Sequence, residues 1–201
     1  MGLKWKRPIG ILLIVAGAYI AVAVIVHGLF YNPQKEVVPV DTATLQNSFI
    51  PSGTDYPITL IIPKIHVDTN IQKVGITFKG NMSTPNNYAD VGWYKYGTVP
   101  GNIGSSVIAG HVDNGFGLDG VFKHLNELAI GDDVYVLMNE GRTLHYKVVD
   151  LETYDYLDGP TKEIFNDHDI ARLNLITCAG VWVPEAQTND KRLVVYTTLS
   201  T

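Results

Sequence analysis

The sequence predicts a mainly β domain, a closed or nearly closed barrel of about eight short strands, preceded by one N-terminal transmembrane helix. Three observations carry this. Short apolar or alternating runs recur between Ile58 and Thr198, separated by turns rich in Gly and Pro. The runs that end at His111 and at Cys178 are almost continuously apolar, as strands buried on both faces are. Near the N-terminus, Ile9 to Phe30 form an apolar run of 22 residues whose only ionisable member is His27.

That N-terminal run is long enough to cross a hydrocarbon core, which takes about 20 apolar residues at helical rise. Lys4, Lys6 and Arg7 precede it, so residues 1–8 are expected to stay in the cytoplasm and everything after the anchor, residues 9–30, to lie outside. A cleaved signal peptide is the competing reading. Its apolar region is usually shorter, about 7–15 residues, with small residues at the cleavage site. Phe30-Tyr31-Asn32-Pro33 offers none. Residues 31–56, with Pro33, Pro39 and Pro51 among scattered Thr, Ser, Asn and Gln, read as an extracytoplasmic linker. An arm packed over the domain is the alternative, given Val37, Val38, Val40 and Phe49-Ile50.

Residues 57–201 then form a single domain. Ile58–Ile62 is a strand stopped by Pro63. Ile65–Ile71 alternates, and Val74–Thr77 follows. Gly92–Tyr94 and Ser105–Gly110 are next. Asp133–Met138 and Thr143–Val149 flank Asn139-Glu140-Gly141-Arg142, a hairpin turn with its glycine. Leu173–Thr177 and Arg192–Thr198 complete the set. Two helices fit between strands: one over residues 119–129, where Val121, Leu125 and Leu128 share a face, and one over residues 161–172.

The chain carries 15 Lys plus Arg against 20 Asp plus Glu. Three of the basic residues precede the anchor, so 15 − 3 leaves 12 against 20, a net charge of −8 outside it. Such an acidic domain is a poor match for nucleic acid. There is one cysteine, so no internal disulfide forms. His66, His124, His145 and His168 lack ligand spacing, and no metal or cofactor is expected.

The chemistry gathers at three strand ends. Cys178 closes Asn-Leu-Ile-Thr-Cys, His111 closes Val-Ile-Ala-Gly-His, and Arg192 opens Arg-Leu-Val-Val-Tyr. A thiol, an imidazole and a guanidinium are the inventory of acyl transfer: nucleophile, proton carrier and fixed positive donor. The plain alternative is a buried cysteine acting as a small hydrophobe. A sole thiol in an oxidising setting weighs against it, because exposure there is a liability unless the group is used. Asp113 either orients His111 or shapes the turn. Trp93-Tyr94-Tyr96 reads as packing rather than groove wall.

Val91-Gly-Trp-Tyr94, Val99-Pro-Gly101, Val107-Ile-Ala-Gly-His-Val-Asp113, Leu175-Ile-Thr-Cys-Ala-Gly180 and Arg192-Leu-Val-Val-Tyr196 together resemble a sortase, most closely the class F group. The resemblance runs from about Ile58 to Leu199. It implies an eight-stranded sortase-type barrel on a single-pass membrane anchor, with the catalytic domain extracytoplasmic. It implies that Cys178 attacks a sorting motif similar to Leu-Pro-x-Thr-Gly between Thr and Gly, forming a thioester. His111 would move the protons, and Arg192 would serve the oxyanion. On position alone, Thr177, just before the thiol, either orients substrate or is an ordinary β-branched strand residue, and Trp182, four residues after it, is a candidate border of the substrate groove. Implied partners are surface proteins bearing that signal and an amine acceptor, such as a cell-wall precursor or a pilin lysine. Two other classes remain open on the residues alone: a cysteine hydrolase using water, and a non-catalytic surface-binding domain with Cys178 merely buried.

Overall fold

The computed structural model describes residues 6–29, 36–39, 55–115, 117–166 and 168–200. The chain divides into two units, residues 1–31 and 32–201. The first contains helix α1, Lys6–Leu29, of 24 residues. Its side chains described over residues 11–26 are all exposed. Among the described residues no helix is long and apolar enough to cross a membrane.

The second unit is a closed barrel. In chain order the strands are β1 Glu36–Pro39, β2 Pro57–Ile62, β3 Val67–Val74, β4 Asn81–Ser83, β5 Val91–Tyr94, β6 Gly104–Gly110, β7 Asp133–Met138, β8 Thr143–Asp155, β9 Ala171–Val183 and β10 Thr188–Leu199. The eight barrel strands follow the order β10-β8-β7-β2-β3-β5-β6-β9, and β9 pairs with β10 to close the ring. The β3–β5 and β6–β9 pairs are parallel and the others antiparallel. β1 and β4 form a separate two-stranded ladder.

Several expectations change. Of residues 31–56, expected as a linker, Glu36–Pro39 is a strand paired with β4, while residues 31–35 and 40–54 lie outside the described residues. The run at residues 65–71 begins later, because Pro63–Ile65 is a 3-10 turn closed by His66 in the left-handed region at φ 55°. Past Val74 there is only an isolated bridge, Ile76 to Met82. The helix expected over residues 119–129 is a run of turns with a 3-10 segment, Leu125–Glu127. Its apolar spacing instead drops Phe122, Leu125 and Leu128 into the core. The second helix is α2, Thr161–Phe165 only. Ala171 and Arg172 already belong to β9, where ladder hydrogen bonds to β6 outweigh a short amphipathic pattern. Strands β8, β9 and β10 all run longer than their apolar stretches, since antiparallel pairing carries their polar ends.

Side-chain alternation sorts the core into two layers. All eight barrel strands contribute to the interior cluster, among them Leu60, Ile62, Val67, Trp93, Ile108, Val136, Tyr146, Leu173, Leu175, Leu193 and Val195. The opposite face of β5, β6, β9 and β10 carries a second cluster: Tyr94, Val107, Ala109, Ile176 and Val194, covered by Met82 of β4 and by Ile164 and Phe165 of α2. At roughly 25 cal/mol per Å² of apolar surface removed from water, both layers hold the sheet rigid where the reactive residues stand.

Candidate active site

Cys178 and Arg192 sit directly opposite each other in the antiparallel β9–β10 ladder. Ala109 and Ile176 are partners in the parallel β6–β9 ladder. Two residues further along both strands, on the same face, come His111 and Cys178. Imidazole, thiol and guanidinium thus line up as one row across three neighbouring strands, on the outer face above Ala109, Ile176 and Val194. Cys178 and Arg192 lie within long strands rather than at their tips, because β9 and β10 continue past the row as a hairpin. All three side chains are buried, at 2% exposure for His111, 6% for Cys178 and 3% for Arg192.

His111 follows the last residue of β6, and a short loop returns over it. Phe122 N–H donates to the His111 carbonyl at 2.9 Å, Gly120 N–H to Val112 O at 3.0 Å, and Val121 N–H to Tyr88 O at 2.9 Å. A Cβ on Gly120 would stand 2.3 Å from the His111 carbonyl oxygen, so only glycine admits this approach. Gly110 is equally constrained: a Cβ there would lie 2.6 Å from the Phe122 ring. Thr177 is buried, points to the face opposite Cys178, and donates its hydroxyl to Gly110 O at 2.9 Å. Its role is therefore to tie β9 to the residue before His111. The His111 Nε2 lies 3.4 Å from Pro85 O. A carbonyl only accepts, so this contact favours a proton on Nε2. Asp113 takes the turn role, accepting Gly115 N–H at 2.7 Å, while its charge also favours the imidazolium of His111.

On the other flank, the β9–β10 hairpin curls over the thiol. Gly180, at φ 78°, sits at a register shift between Asn189 and Lys191. A Cβ there would meet Asp190 Oδ1 at 2.0 Å, and that oxygen accepts Val181 N–H at 2.8 Å. This bulge brings the start of β10 back to the row. Arg192 Nη1 donates to Asn189 O at 2.9 Å and to Lys191 O at 2.8 Å, and Nη2 donates to Thr188 Oγ1 at 2.8 Å. The guanidinium also faces the Tyr156 ring, 5.7 Å away. Trp182 pairs with Asn189 on this hairpin and is 43% exposed, beside exposed Val181.

Burial pushes the Cys178 thiol above its ordinary value; the Arg192 charge, the Thr188 hydroxyl and the Asn189 backbone N–H oppose it, while Asp113 adds to it. Burial pushes His111 below its ordinary value, against the pull of Pro85 O and Asp113. Arg192 is lowered by burial and held up by Cys178 and Tyr156, and a guanidinium stays charged throughout. Burial thus disfavours the charged forms of both the thiol and the imidazole, beside the Arg192 cation. No group of His, Cys, Asp or Glu suited to a metal occurs among the described residues. The residues missed by sequence reading are Pro85, Gly120, Thr188 and Asn189. Only Gly120 left a trace there, as an Asp-Gly pair among turn residues.

The Sortase domain family profile matches residues 60–200, well over half of the chain. The chain belongs to the sortase family. Its members are cysteine transpeptidases, and this chain is an enzyme of that kind. Among solved structures it is similar to sortase C-1 from Actinomyces oris, with 25% identity over 86% of this chain and 88% of that one, at TM-score 0.58. Sortase A from Corynebacterium diphtheriae shares 23% identity over 75% of this chain and 63% of that one, at TM-score 0.56. A Clostridium perfringens sortase D5 transpeptidase shares 20% identity over 80% of this chain and 86% of that one, at TM-score 0.54, a likeness of fold. No curated protein sequence matches. The likeness thus spans several sortase classes.

Proposed function

We propose that this sortase is a membrane-anchored transpeptidase of the class F type that cleaves a Leu-Pro-x-Thr-Gly-like signal between Thr and Gly and passes the acyl group to a cell-surface amine. The observation that carries the reading is the row His111, Cys178, Arg192 on adjacent strands. The Sγ–H proton passes to the imidazole, and Sγ attacks the Thr carbonyl carbon. The tetrahedral oxyanion is met by Arg192, a cation already held in place. The C–N bond breaks, the departing Gly amine takes a proton from the imidazolium, and a thioester remains on Cys178. An incoming amine gives a proton back to His111 and displaces Sγ. The two-step route replaces one difficult exchange by two easier ones. Trp182, exposed on the hairpin beyond the row, is assigned to substrate contact.

Membrane anchorage is supported by α1, whose described side chains present exposed Ile, Leu and Val, behind Lys4, Lys6 and Arg7. Residues 9–30 are assigned as the single-pass anchor, 1–8 as the cytoplasmic tail and 57–201 as the extracytoplasmic catalytic domain.

The test is incubation of the full chain in detergent with a panel of Leu-Pro-x-Thr-Gly-like peptides, with and without added amine, followed by mass analysis. Cleavage after Thr with an amine adduct is expected, and Cys178→Ala is expected to fold normally and lose all turnover. Hydrolysis unaffected by amine would make the enzyme a hydrolase, and turnover by Cys178→Ala would remove Cys178 as nucleophile. Rate against pH should be bell-shaped: the acid limb reports loss of one proton acceptor state and lies below the ordinary imidazole value, while the alkaline limb lies above the ordinary thiol value.

A further inference from the structure

The carbonyl that meets the His111 ring belongs to Pro85, in the segment 84–90 between β4 and β5. The same segment reaches the His111 loop a second time, where Tyr88 O accepts Val121 N–H at 2.9 Å. An amide from another strand holds this segment. Gln72 lies on β3, opposite Gly92 of β5. Its Nε2 donates to Asn86 Oδ1 at 2.7 Å, and its Oε1 accepts Asn86 N–H at 3.1 Å. One side chain thus grips the neighbour of Pro85 by backbone and side chain together. Gln72 Nε2 also donates to Asp90 Oδ2 at 2.8 Å, and Asn87 Nδ2 donates to the same oxygen at 2.9 Å. Asn87 Oδ1 accepts Ala89 N–H at 2.9 Å and Asp90 N–H at 2.7 Å, which closes the segment as a turn. Pro85 itself is buried against Gly92, where a Cβ would stand 3.3 Å from its Cδ.

We propose that Gln72 is a positioning residue for His111: its amide clamps Asn86 and so sets the adjacent Pro85 carbonyl against the imidazole Nε2. This deepens the transpeptidase reading above and rests on it. A proton carrier serves only while its ring is held at one angle to the thiol, through both half-reactions. The Pro85 carbonyl does this from the side of Nε2, at 3.4 Å. That contact tightens when the ring gains charge, because an imidazolium N–H donates more strongly than a neutral one. The Nε2 proton stays in place throughout. The proton taken from Sγ–H and given to the leaving amine is carried by the other ring nitrogen. Gln72 acts only through Pro85, so its effect is largest while the imidazolium exists, which is a contribution to turnover rather than to substrate binding.

The experiment compares Gln72→Leu, which removes the amide at a half-buried position, with Asn86→Ala, which removes only the side-chain half of the clamp. Two readouts are taken on the full chain in detergent. The first needs no peptide: the NMR signal of the His111 Nε2–H, identified by its loss in His111→Gln, and the rate at which that proton exchanges with water. The second is kcat and KM with a peptide that the wild type cleaves. In wild type the Nε2 proton is expected to be protected. In Gln72→Leu it should exchange about tenfold faster or vanish from the spectrum. In the same variant kcat should fall about tenfold, with KM within about twofold. Asn86→Ala should fall between wild type and Gln72→Leu on both readouts, since the backbone half of the clamp remains. Equal protection of the Nε2 proton in Gln72→Leu overturns the proposal. So does a wild type without a protected signal, or a Gln72→Leu variant that loses stability but keeps full kcat, which would make the residue structural. If Gln72→Leu does not fold, Gln72→Asn, whose amide is too short to close the clamp, is judged on the same criteria. A wild type that shows the protected signal but cleaves no peptide would count against the transpeptidase reading while leaving the signal test of Gln72 intact.

Discussion

Cys178 is held by two unlike flanks. Toward Arg192 the neighbour is antiparallel and local: β9 and β10 are joined by the hairpin between Val183 and Thr188, and the register Arg192 to Cys178 is set by a ladder continuing to Thr198 and Arg172. Toward His111 the neighbour is parallel and distant in sequence, and the ladder ends at Ala109 and Ile176, short of the imidazole. The last step to His111 is made by other means: the Thr177 hydroxyl on Gly110 O, the Gly120 approach to the His111 carbonyl, and Pro85 O against Nε2. One flank is placed by pairing and the other by steric fit. Fit is the more fragile of the two, because a packed interior yields little to an added methyl group.

Gly120→Ala is the strongest way to break the comparison. The added Cβ would stand 2.3 Å from the His111 carbonyl oxygen and 2.9 Å from Asp113 N, both of them backbone atoms that cannot rotate away. The loop must shift and carry the imidazole with it. Misplacement of a proton carrier by ~1 Å costs about a hundredfold in rate, and the overpacking should cost roughly 1–3 kcal/mol of stability. Peptide turnover and thermal unfolding measure both. Wild-type turnover in this variant would mean that the loop adapts and that fit does not place His111.

Arg192→Lys examines the other flank. The ladder is backbone and should survive, so stability should hardly change. Lysine keeps the charge but lacks the planar fork that here reaches Asn189 O, Lys191 O and Thr188 Oγ1 together. A fall in kcat of about a hundredfold with KM nearly unchanged is expected, as for a donor used mainly in the transition state. A raised KM with full kcat would make Arg192 a docking residue.

Thr177→Val sharpens the contrast at the smallest amplitude. It removes the hydroxyl bond to Gly110 O at a buried position and leaves the shape intact. A loss of about 1 kcal/mol in denaturant unfolding is expected, with a few-fold fall in turnover through His111. A larger effect on KM than on kcat would return Thr177 to the substrate-contact role that its place beside the thiol suggested.

Much of the barrel was legible because period-two burial and turn residues are local signals. The hairpin through Gly141 and the strands at residues 58–62, 92–94 and 105–110 follow from them directly. The turn region at residues 119–129 was misread as a helix because Val121, Leu125 and Leu128 have helical spacing, and only the packing of Phe122 and Leu125 under the barrel decides for a 3-10 segment. The stretch at residues 181–191 was opaque for the opposite reason. It carries no apolar pattern, and its strand character comes wholly from a partner across the hairpin.

By itself, the sequence determined the chemistry available: one thiol, an imidazole after Ala-Gly, and an arginine just ahead of an apolar run. It also determined which strands are apolar enough to be central. Tertiary structure alone decided that His111, Cys178 and Arg192 form one row, that Thr177 faces away from the thiol toward Gly110, and that the Thr188 hydroxyl holds the Arg192 guanidinium. The physical reason is that register between distant strands and the closing of a bulge are properties of pairs of segments. Period and propensity act within a few neighbouring residues and carry no information about which partner a strand will meet.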